Sequence, residues 1–139
     1  GERWIGAAGR ATIFSGPMGG TPGCRPCPDL ANAEASCTSP DMFDDIEIPR
    51  WNALRRAARR SSFGGDCYSY GLAALGQIDI IVECSMKVWD WAAIVPIIEG
   101  AGGRMTDWHG NKLHADGDGR TLVVGDPALL PAALKFLAG

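Results

Sequence analysis

One acidic residue, Asp90, interrupts the apolar segment Val88-Trp89-Asp90-Trp91-Ala92-Ala93, and a glycine-rich run, Glu99-Gly100-Ala101-Gly102-Gly103, follows it. We predict that a helix begins near this carboxylate, among free backbone N–H groups and beside a core that excludes water. Carboxylate oxygens are the ligands that hard divalent cations prefer. Asp90 is therefore a candidate metal ligand. The alternative is a plain helix N-cap, because aspartate is favoured there without any ligand.

Two further carboxylates and one lysine lie near Asp90 in the sequence pattern. Glu83 ends an apolar strand-like run seven residues earlier. Asp66 lies in the turn Gly65-Asp66-Cys67, whose backbone N–H groups can face an anionic ligand. Lys87 offers an ammonium group to the same kind of ligand. Each also has a structural interpretation: a solvated strand end for Glu83, an N-cap for Asp66 and a surface lysine for Lys87.

Composition limits the classes of function. The chain has 139 residues, 46% of them hydrophobic, which is enough for the core of one domain. Its net charge of −3 argues against a nucleic-acid-binding surface, which needs a basic face. No segment approaches the roughly 20 apolar residues of a membrane span. We therefore expect neither nucleic acid nor membrane among its partners.

Cysteine usage predicts a reducing compartment, the cytoplasm. The chain has five cysteines, an odd number, which argues against a disulfide framework. Only Cys24 and Cys27 have a metal-like spacing, and a structural zinc site needs four ligands. We favour two loop thiols here and keep a zinc or redox role as the weaker alternative.

Alternating strand and helix patterns predict an α/β fold, a layered sheet with helices on both faces. We expect a hairpin over 1–15, an irregular connection over 16–48 and an α/β core over 49–139. The predicted strands cover residues 3–6, 10–14, 30–36, 61–63, 78–82, 104–106 and 121–124, and the predicted helices cover 51–60, 67–76, 91–101 and 127–137. Helix 91–101 is apolar almost all round, which predicts burial between layers, and Pro96 should bend it.

The segments around Asp90 also carry a family resemblance. Trp89-Asp90-Trp91-Ala92-Ala93 and the run up to Gly103 resemble the C-terminal signature of the inositol-monophosphatase superfamily of metal-dependent phosphatases. Phe63-Gly64-Gly65-Asp66-Cys67-Tyr68-Ser69-Tyr70 and Asp79-Ile80-Ile81-Val82-Glu83 are most similar to the branch that hydrolyses L-histidinol phosphate. The resemblance implies the C-terminal half of the superfamily fold, with the hairpin belonging to the sheet of the other half.

The resemblance also implies roles for individual residues. Asp90 would bind a catalytic Mg²⁺, and Glu83 would hydrogen-bond the leaving group of the substrate. Asp66 would pair with the amine or imidazole of the substrate. From the residue pattern itself, further substrate contacts would come from the turn N–H groups of Gly65 and Cys67 and from the Lys87 ammonium group.

Two elements that the superfamily needs for catalysis are missing from this sequence: a Glu-Glu pair and an Asp-Pro-Ile-Asp-Gly-Thr-like loop. The chain also opens in strand-like residues without a methionine, so we expect a piece of a longer protein that is inactive alone. Its expected partners are the missing N-terminal half, a small phosphorylated substrate and a second copy in a homodimer. The alternatives are an inositol or sugar-phosphate phosphatase and a catalytically silent binding or assembly fragment.

Overall fold

A five-stranded mixed sheet with helices on both faces forms the centre of the fold. The computed structural model describes residues 1–138. Its strands are β1 (Arg3–Ile5), β2 (Ile13–Ser15), β3 (Glu34–Cys37), β4 (Arg60–Phe63), β5 (Ile80–Glu83), β6 (Arg104–Thr106) and β7 (Thr121–Val124). Its helices are α1 (Glu47–Ala57), α2 (Cys67–Ala74), α3 (Val88–Trp91), α4 (Ile94–Gly100) and α5 (Leu130–Leu137).

The order of strands in the sheet brings three strand ends to one edge. The order is β4-β3-β5-β7-β6, in which β3 is parallel to both β4 and β5. Strand β7 runs antiparallel to β5 and β6. Since parallel strands place their carboxyl ends together, the segments that follow Cys37, Phe63 and Glu83 meet at the same edge, where open α/β sheets bind ligands.

Two buried clusters, one on each face of the sheet, hold the layers together. Trp51 and Leu54 of α1 pack with Leu137 of α5 in one cluster. Ile94 and Ile98 of α4 pack with residues of α2 in the other. Strands β5 and β7 lie between them and are buried along their whole length, as an apolar, β-branched sequence requires. The predicted layered α/β fold with helices on both faces is confirmed.

Strand β3 lies inside residues 16–48, for which we predicted an irregular connection. A short 3₁₀ turn at Leu30–Asn32, capped by the Asp29 side chain, precedes it, so the strand begins later than predicted. All four residues of β3 are buried. Because β3 pairs with both β4 and β5, the sheet begins at Glu34, well before residue 49.

Helix α1 begins and ends earlier than the predicted helix 51–60. The Asp44 carboxylate accepts hydrogen bonds from the backbone N–H groups of Ile46 and Glu47, both at 2.8 Å, and this starts the helix. Pro49 is tolerated in the first turn of α1, because a backbone N–H at that position would have no carbonyl partner within the helix. Arg60 is then free to begin β4.

The predicted helix 91–101 is not continuous. The helical segment is divided into α3 and α4, separated at Ala92 and Ala93. Pro96 has no N–H to donate to the Ala92 carbonyl, which weakens a continuous helix at that point. Ile94 and Ile98 of α4 are buried in the cluster on the sheet. On its other side α4 meets the hairpin segment, where Thr12 donates hydrogen bonds to the Ile97 carbonyl at 2.7 Å and the Gly100 carbonyl at 3.0 Å. The helix therefore lies between the central sheet and the hairpin, as predicted.

The predicted hairpin is present with shorter strands. Strands β1 and β2 pair antiparallel, with Trp4 opposite Phe14, and form a sheet separate from the central one. The Trp4 ring packs on Gly71 of α2, where an added Cβ would approach it to 2.7 Å. Among residues 1–138, no helix combines the length and the apolar character needed to cross a bilayer.

Candidate active site

A cavity of about 510 Å³ opens at the edge where β3 and β5 end. Four of the six residues that the sequence analysis singled out line it: Asp66, Cys67, Glu83 and Asp90. Gly65 and Lys87 are neighbours of lining residues in the chain but do not form its wall. The structure therefore brings the three predicted carboxylates together around one space.

Glu83 is buried at the end of β5, 3% exposed. Its Oε1 atom accepts hydrogen bonds from the Thr38 backbone N–H at 3.0 Å and from the Thr38 hydroxyl at 2.5 Å. Burial raises the pKa of Glu83; the Thr38 bonds lower it in part, and the charges of Asp66 and Asp90 raise it further. Within residues 1–138, Oε2 accepts no hydrogen bond, so this oxygen is available to a ligand.

Thr38 is a site residue that the sequence analysis missed. Besides holding Glu83, its carbonyl accepts a hydrogen bond from the Gly64 N–H at 2.9 Å. One residue thus fixes both the carboxylate and the turn that carries Asp66. The signal that could have identified Thr38 is a hydroxyl side chain directly after a buried strand. The predicted strand ends at Ser36, whereas β3 ends at Cys37, so Thr38 does not directly follow the predicted strand.

The turn before α2 has an unusual backbone. Gly64, Gly65 and Asp66 all have positive φ, at 81°, 86° and 45°. Glycine adopts this region freely, whereas aspartate is strained there. A Cβ on Gly65 would lie 2.4 Å from the Ser69 hydroxyl oxygen, so Gly65 has a clear structural reason to be glycine.

The N-cap interpretation of Asp66 is not supported. Although Asp66 precedes α2, its side chain makes no capping hydrogen bond. The carboxylate is exposed and, within the described chain, accepts no hydrogen bond. Its oxygens are therefore uncommitted.

Asp90 lies in the first turn of α3, three residues after Lys87, and is not the N-cap residue. Its Oδ2 accepts a hydrogen bond from the Lys87 backbone N–H at 2.8 Å, and the Asp90 N–H donates to the Lys87 carbonyl at 2.9 Å. These two bonds fix the side chain. The second carboxylate oxygen, Oδ1, accepts nothing within residues 1–138 and remains available.

The charge of the cavity is one-sided. Its walls carry three carboxylates and no lysine or arginine. Carboxylate oxygens match Mg²⁺ in kind, but among residues 1–138 no group of three or more histidine, cysteine, aspartate or glutamate side chains is arranged to bind a metal. The described residues therefore fit one part of a magnesium site and are too few to form it alone.

Apolar side chains complete the cavity, and most were not predicted. Met42, Met86 and Ile94 form apolar wall, while Trp89 lies at the rim and is 78% exposed. Tyr70 of α2 contributes a buried ring. Sequence alone gives no signal that separates these residues from ordinary core.

The cysteine pair offers no counterpart to this cavity. Burial raises the pKa of the Cys24 thiol to about 11, and burial also raises the pKa of Cys27. Redox chemistry needs the thiolate, which these environments disfavour. A zinc site needs further ligands, and among residues 1–138 no group of three or more histidine, cysteine, aspartate or glutamate side chains is arranged to bind a metal. The zinc or redox alternative therefore has no support from residues 1–138.

Comparison with known proteins gives named relatives. The chain is 40% identical over 111 residues to the chloroplastic bifunctional phosphatase IMPL2 of Arabidopsis thaliana and 31% identical over 113 residues to a histidinol-phosphatase of Mycobacterium tuberculosis. These alignments cover 80% and 78% of this chain, but 31% and 43% of the two relatives.

Solved structures share the fold. The chain superposes on an inositol monophosphatase from Zymomonas mobilis with a TM-score of 0.93 and 38% identity, over 99% of this chain and 53% of that one. An inositol monophosphatase from Anabaena superposes with a TM-score of 0.83 at 19% identity. The chain thus spans between about a third and about half of the length of these relatives.

The family itself follows from a match over nearly the whole chain. The model of the inositol monophosphatase family matches residues 2–136. Enzymes of that family are phosphatases, and they typically use Mg²⁺. The extent of this match and the shared fold establish that the chain belongs to the inositol monophosphatase family.

Proposed function

We propose that this chain is the C-terminal, substrate-recognising part of a Mg²⁺-dependent phosphatase that hydrolyses L-histidinol phosphate to L-histidinol and inorganic phosphate. The observation that carries the proposal is a cavity with three carboxylates and no basic residue on its wall. Such a wall repels a phosphate ester unless positive charge accompanies it. A substrate with its own ammonium group brings part of that charge, and a bound metal ion brings the rest.

The relatives support this choice of substrate. Two curated proteins that match the chain, from Mycobacterium tuberculosis and Chlorobaculum parvum, are named histidinol-phosphatases. The segment Phe63–Tyr70, on which the branch resemblance rests, contributes three residues to the cavity wall: Asp66, Cys67 and Tyr70.

Glu83 and Asp66 would bind the organic part of the substrate. Oε1 of Glu83 is held by Thr38, which leaves Oε2 to accept a hydrogen bond from the leaving hydroxyl group. Asp66 has two uncommitted oxygens and would pair with the ammonium or imidazole group of the substrate. Together they would orient the ester so that water attacks phosphorus opposite the leaving oxygen.

Asp90 would be the metal ligand on this side of the site. When bound, Mg²⁺ would supply charge compensation for the phosphate and help to activate water. Asp90 would offer Oδ1, while Oδ2 stays on the Lys87 amide and keeps the side chain in place. The remaining ligands would come from the N-terminal half of the protein, because the described residues hold too few carboxylates.

The test is phosphate release by the intact polypeptide that carries this chain, assayed with Mg²⁺ and L-histidinol phosphate. We expect Asp90→Asn to lower turnover by more than about 100-fold, because an amide is a poor ligand for Mg²⁺. Its melting temperature should stay near that of wild type, since the asparagine oxygen can still accept the Lys87 hydrogen bond. The matched control is Asp116→Asn, an exposed site away from the cavity. Near-normal turnover of Asp90→Asn would remove Asp90 from the metal site.

A second candidate substrate is inositol monophosphate, favoured by the 38% identity to the Zymomonas mobilis enzyme. The two substrates differ in charge, because inositol carries no cationic group. Asp66→Ala should therefore impair hydrolysis of L-histidinol phosphate more than that of inositol monophosphate. If the wild-type protein hydrolyses inositol monophosphate faster than L-histidinol phosphate, inositol monophosphate becomes the favoured substrate.

A non-catalytic binding or assembly role is the candidate from another class. The observation in its favour is the small number of metal-ligating groups within residues 1–138. It would be adopted if the intact polypeptide, supplied with Mg²⁺, released phosphate from neither substrate.

A further inference from the structure

Tyr70 carries a buried hydroxyl group that the described chain does not satisfy. The residue is 2% exposed, and it lines the cavity together with Asp66 and Glu83. Within residues 1–138 its hydroxyl has no hydrogen-bond partner. Buried tyrosine hydroxyls normally have one, because an unpaired buried polar group is costly. A ligand in the cavity is the natural source of the missing partner.

The surroundings of the phenol keep it protonated. Burial raises the pKa of Tyr70, and the negative charge of Glu83 raises it further. Thr121 faces Glu83 across the β5–β7 ladder. It lies near the phenol and lowers the pKa of Tyr70 in part, but the two hydroxyl groups are not in hydrogen-bond geometry. The phenol is thus a neutral O–H group that can donate.

The other unpartnered buried groups among residues 1–138 lie elsewhere. They are the indole N–H groups of Trp4 and Trp51, and neither side chain lines the cavity. Tyr70 alone of the three therefore combines an unmet hydrogen bond with the wall of the candidate active site.

Tyr70 and Asp66 form a complementary pair. They lie four residues apart in the chain, Asp66 directly before α2 and Tyr70 within it, and both line the cavity. Asp66 can only accept hydrogen bonds, whereas the Tyr70 phenol can donate. A neutral imidazole presents one N–H donor and one acceptor nitrogen, so its two ring nitrogens match this pair. Met42, Met86 and Ile94 give the flat ring an apolar surface.

We propose that Tyr70 is a specificity-determining residue, whose phenol O–H donates a hydrogen bond to the acceptor nitrogen of a heteroaromatic ring in the substrate. This deepens the proposed function and rests on it, because the ring is that of L-histidinol phosphate. Tyr70 has no part in the proposed attack on phosphorus, so its removal should impair binding of the ring and leave the chemistry intact.

The test is Tyr70→Phe in the intact polypeptide, which removes one oxygen atom. We expect kcat/KM for L-histidinol phosphate to fall about 3- to 10-fold, mainly through KM, as for loss of one neutral hydrogen bond. With phenyl phosphate, which has no ring nitrogen, the change should be less than about 2-fold. The melting temperature should not fall, because the variant removes an unsatisfied buried group.

Tyr68→Phe is the matched control. It makes the same chemical change two residues earlier, where the hydroxyl donates to Glu2 at 2.6 Å outside the cavity. It should leave both substrates unaffected. Equal losses of Tyr70→Phe on both substrates, or no loss on L-histidinol phosphate, would overturn the proposal.

The wild-type protein separates this proposal from the one on which it rests. If it hydrolyses phenyl phosphate but not L-histidinol phosphate, the proposed substrate is wrong and the role of Tyr70 falls with it. If it hydrolyses L-histidinol phosphate and Tyr70→Phe does so equally well, only the role of Tyr70 is overturned.

Discussion

The backbone at Asp66 predicts that Asp66→Gly is more stable than the wild-type protein. Asp66 has φ 45° and ψ −132°, a conformation that suits glycine and strains any residue with a Cβ. Such strain costs about 1–3 kcal/mol, and glycine relieves it. Glycine also has greater freedom in the unfolded chain, which lowers the free energy of unfolding by about 0.5–1 kcal/mol and offsets part of the gain. No hydrogen bond is lost, because the carboxylate accepts none within residues 1–138. The free energy of unfolding should therefore rise by about 0.5–2 kcal/mol.

Asp66→Ala is the variant that separates strain from chemistry. It removes the same carboxylate but keeps the Cβ, so its free energy of unfolding should stay within about 0.5 kcal/mol of wild type. Both variants should lose about 5-fold in kcat/KM for L-histidinol phosphate, since an exposed charge pair or a single hydrogen bond contributes about 1 kcal/mol. Hydrolysis of phenyl phosphate should change little in either.

Urea unfolding of the two variants and wild type, with kinetics on both substrates, gives the decisive comparison. Both variants lack the carboxylate and differ only in the Cβ, so the difference between their free energies of unfolding measures the effect of backbone conformation alone. An Asp66→Gly protein less stable than Asp66→Ala would refute the inference of strain. Equal losses on the two substrates would refute the contact between Asp66 and the ammonium or imidazole group of the substrate.

Two further predictions concern buried carboxylates. Because the folded-state pKa of Glu83 lies above its ordinary value of 4.5, Glu83 favours folding most below that value and progressively less as pH rises through the folded-state pKa. Glu83→Gln should therefore gain stability relative to wild type between pH 4 and pH 7 in urea titrations, and a relative loss over that range would contradict the direction of the shift. Arg25→Met should lower the free energy of unfolding by about 2–4 kcal/mol, because it leaves the buried Asp79 without its guanidinium partner. This is less than the loss expected for a fully buried ion pair, because the Arg25 side chain is 41% exposed. Adding Asp79→Asn should recover part of that loss, and a double variant with no recovery would argue against an ion-pair origin.

Local patterns were enough to predict most elements and the carboxylates of the cavity. An apolar, β-branched run predicted β5, and the acid that ends it, Glu83, lies at the edge of the sheet. Asp66 and Asp90 each stand near the start of a helix, and helix starts follow strand ends in an α/β fold. Their approach to one cavity therefore follows from the alternation of elements, which a single sequence can reveal.

Long-range pairing accounts for what the sequence did not predict. Thr38 matters because β3 lies between β4 and β5, which makes its amide, hydroxyl and carbonyl available to both neighbours. No local pattern encodes that order of strands. Tyr70 likewise belongs to a helix of small and aromatic residues, where a core position and a cavity wall have the same appearance in sequence.

Buried polar groups away from the cavity are mostly well paired. The Asp79 carboxylate binds Arg25 on both oxygens and also accepts the Glu34 N–H at 2.7 Å. The indole N–H of Trp108 donates to the Thr121 carbonyl at 3.1 Å. The fold thus satisfies polar groups where stability alone is at stake, with Trp4 and Trp51 as the exceptions.

Energetic costs accumulate instead around the cavity. Both non-glycine residues with positive φ among residues 1–138, Asp66 and Ser85, line it. So do Glu83, whose pKa is raised mainly by burial, and Tyr70, whose hydroxyl is unpaired. Strain, a buried acid and an unmet hydrogen bond are independent penalties, and proteins tolerate them together where a ligand offsets them. Their concentration at the edge of β5 therefore argues for a binding site there even without reference to any relative.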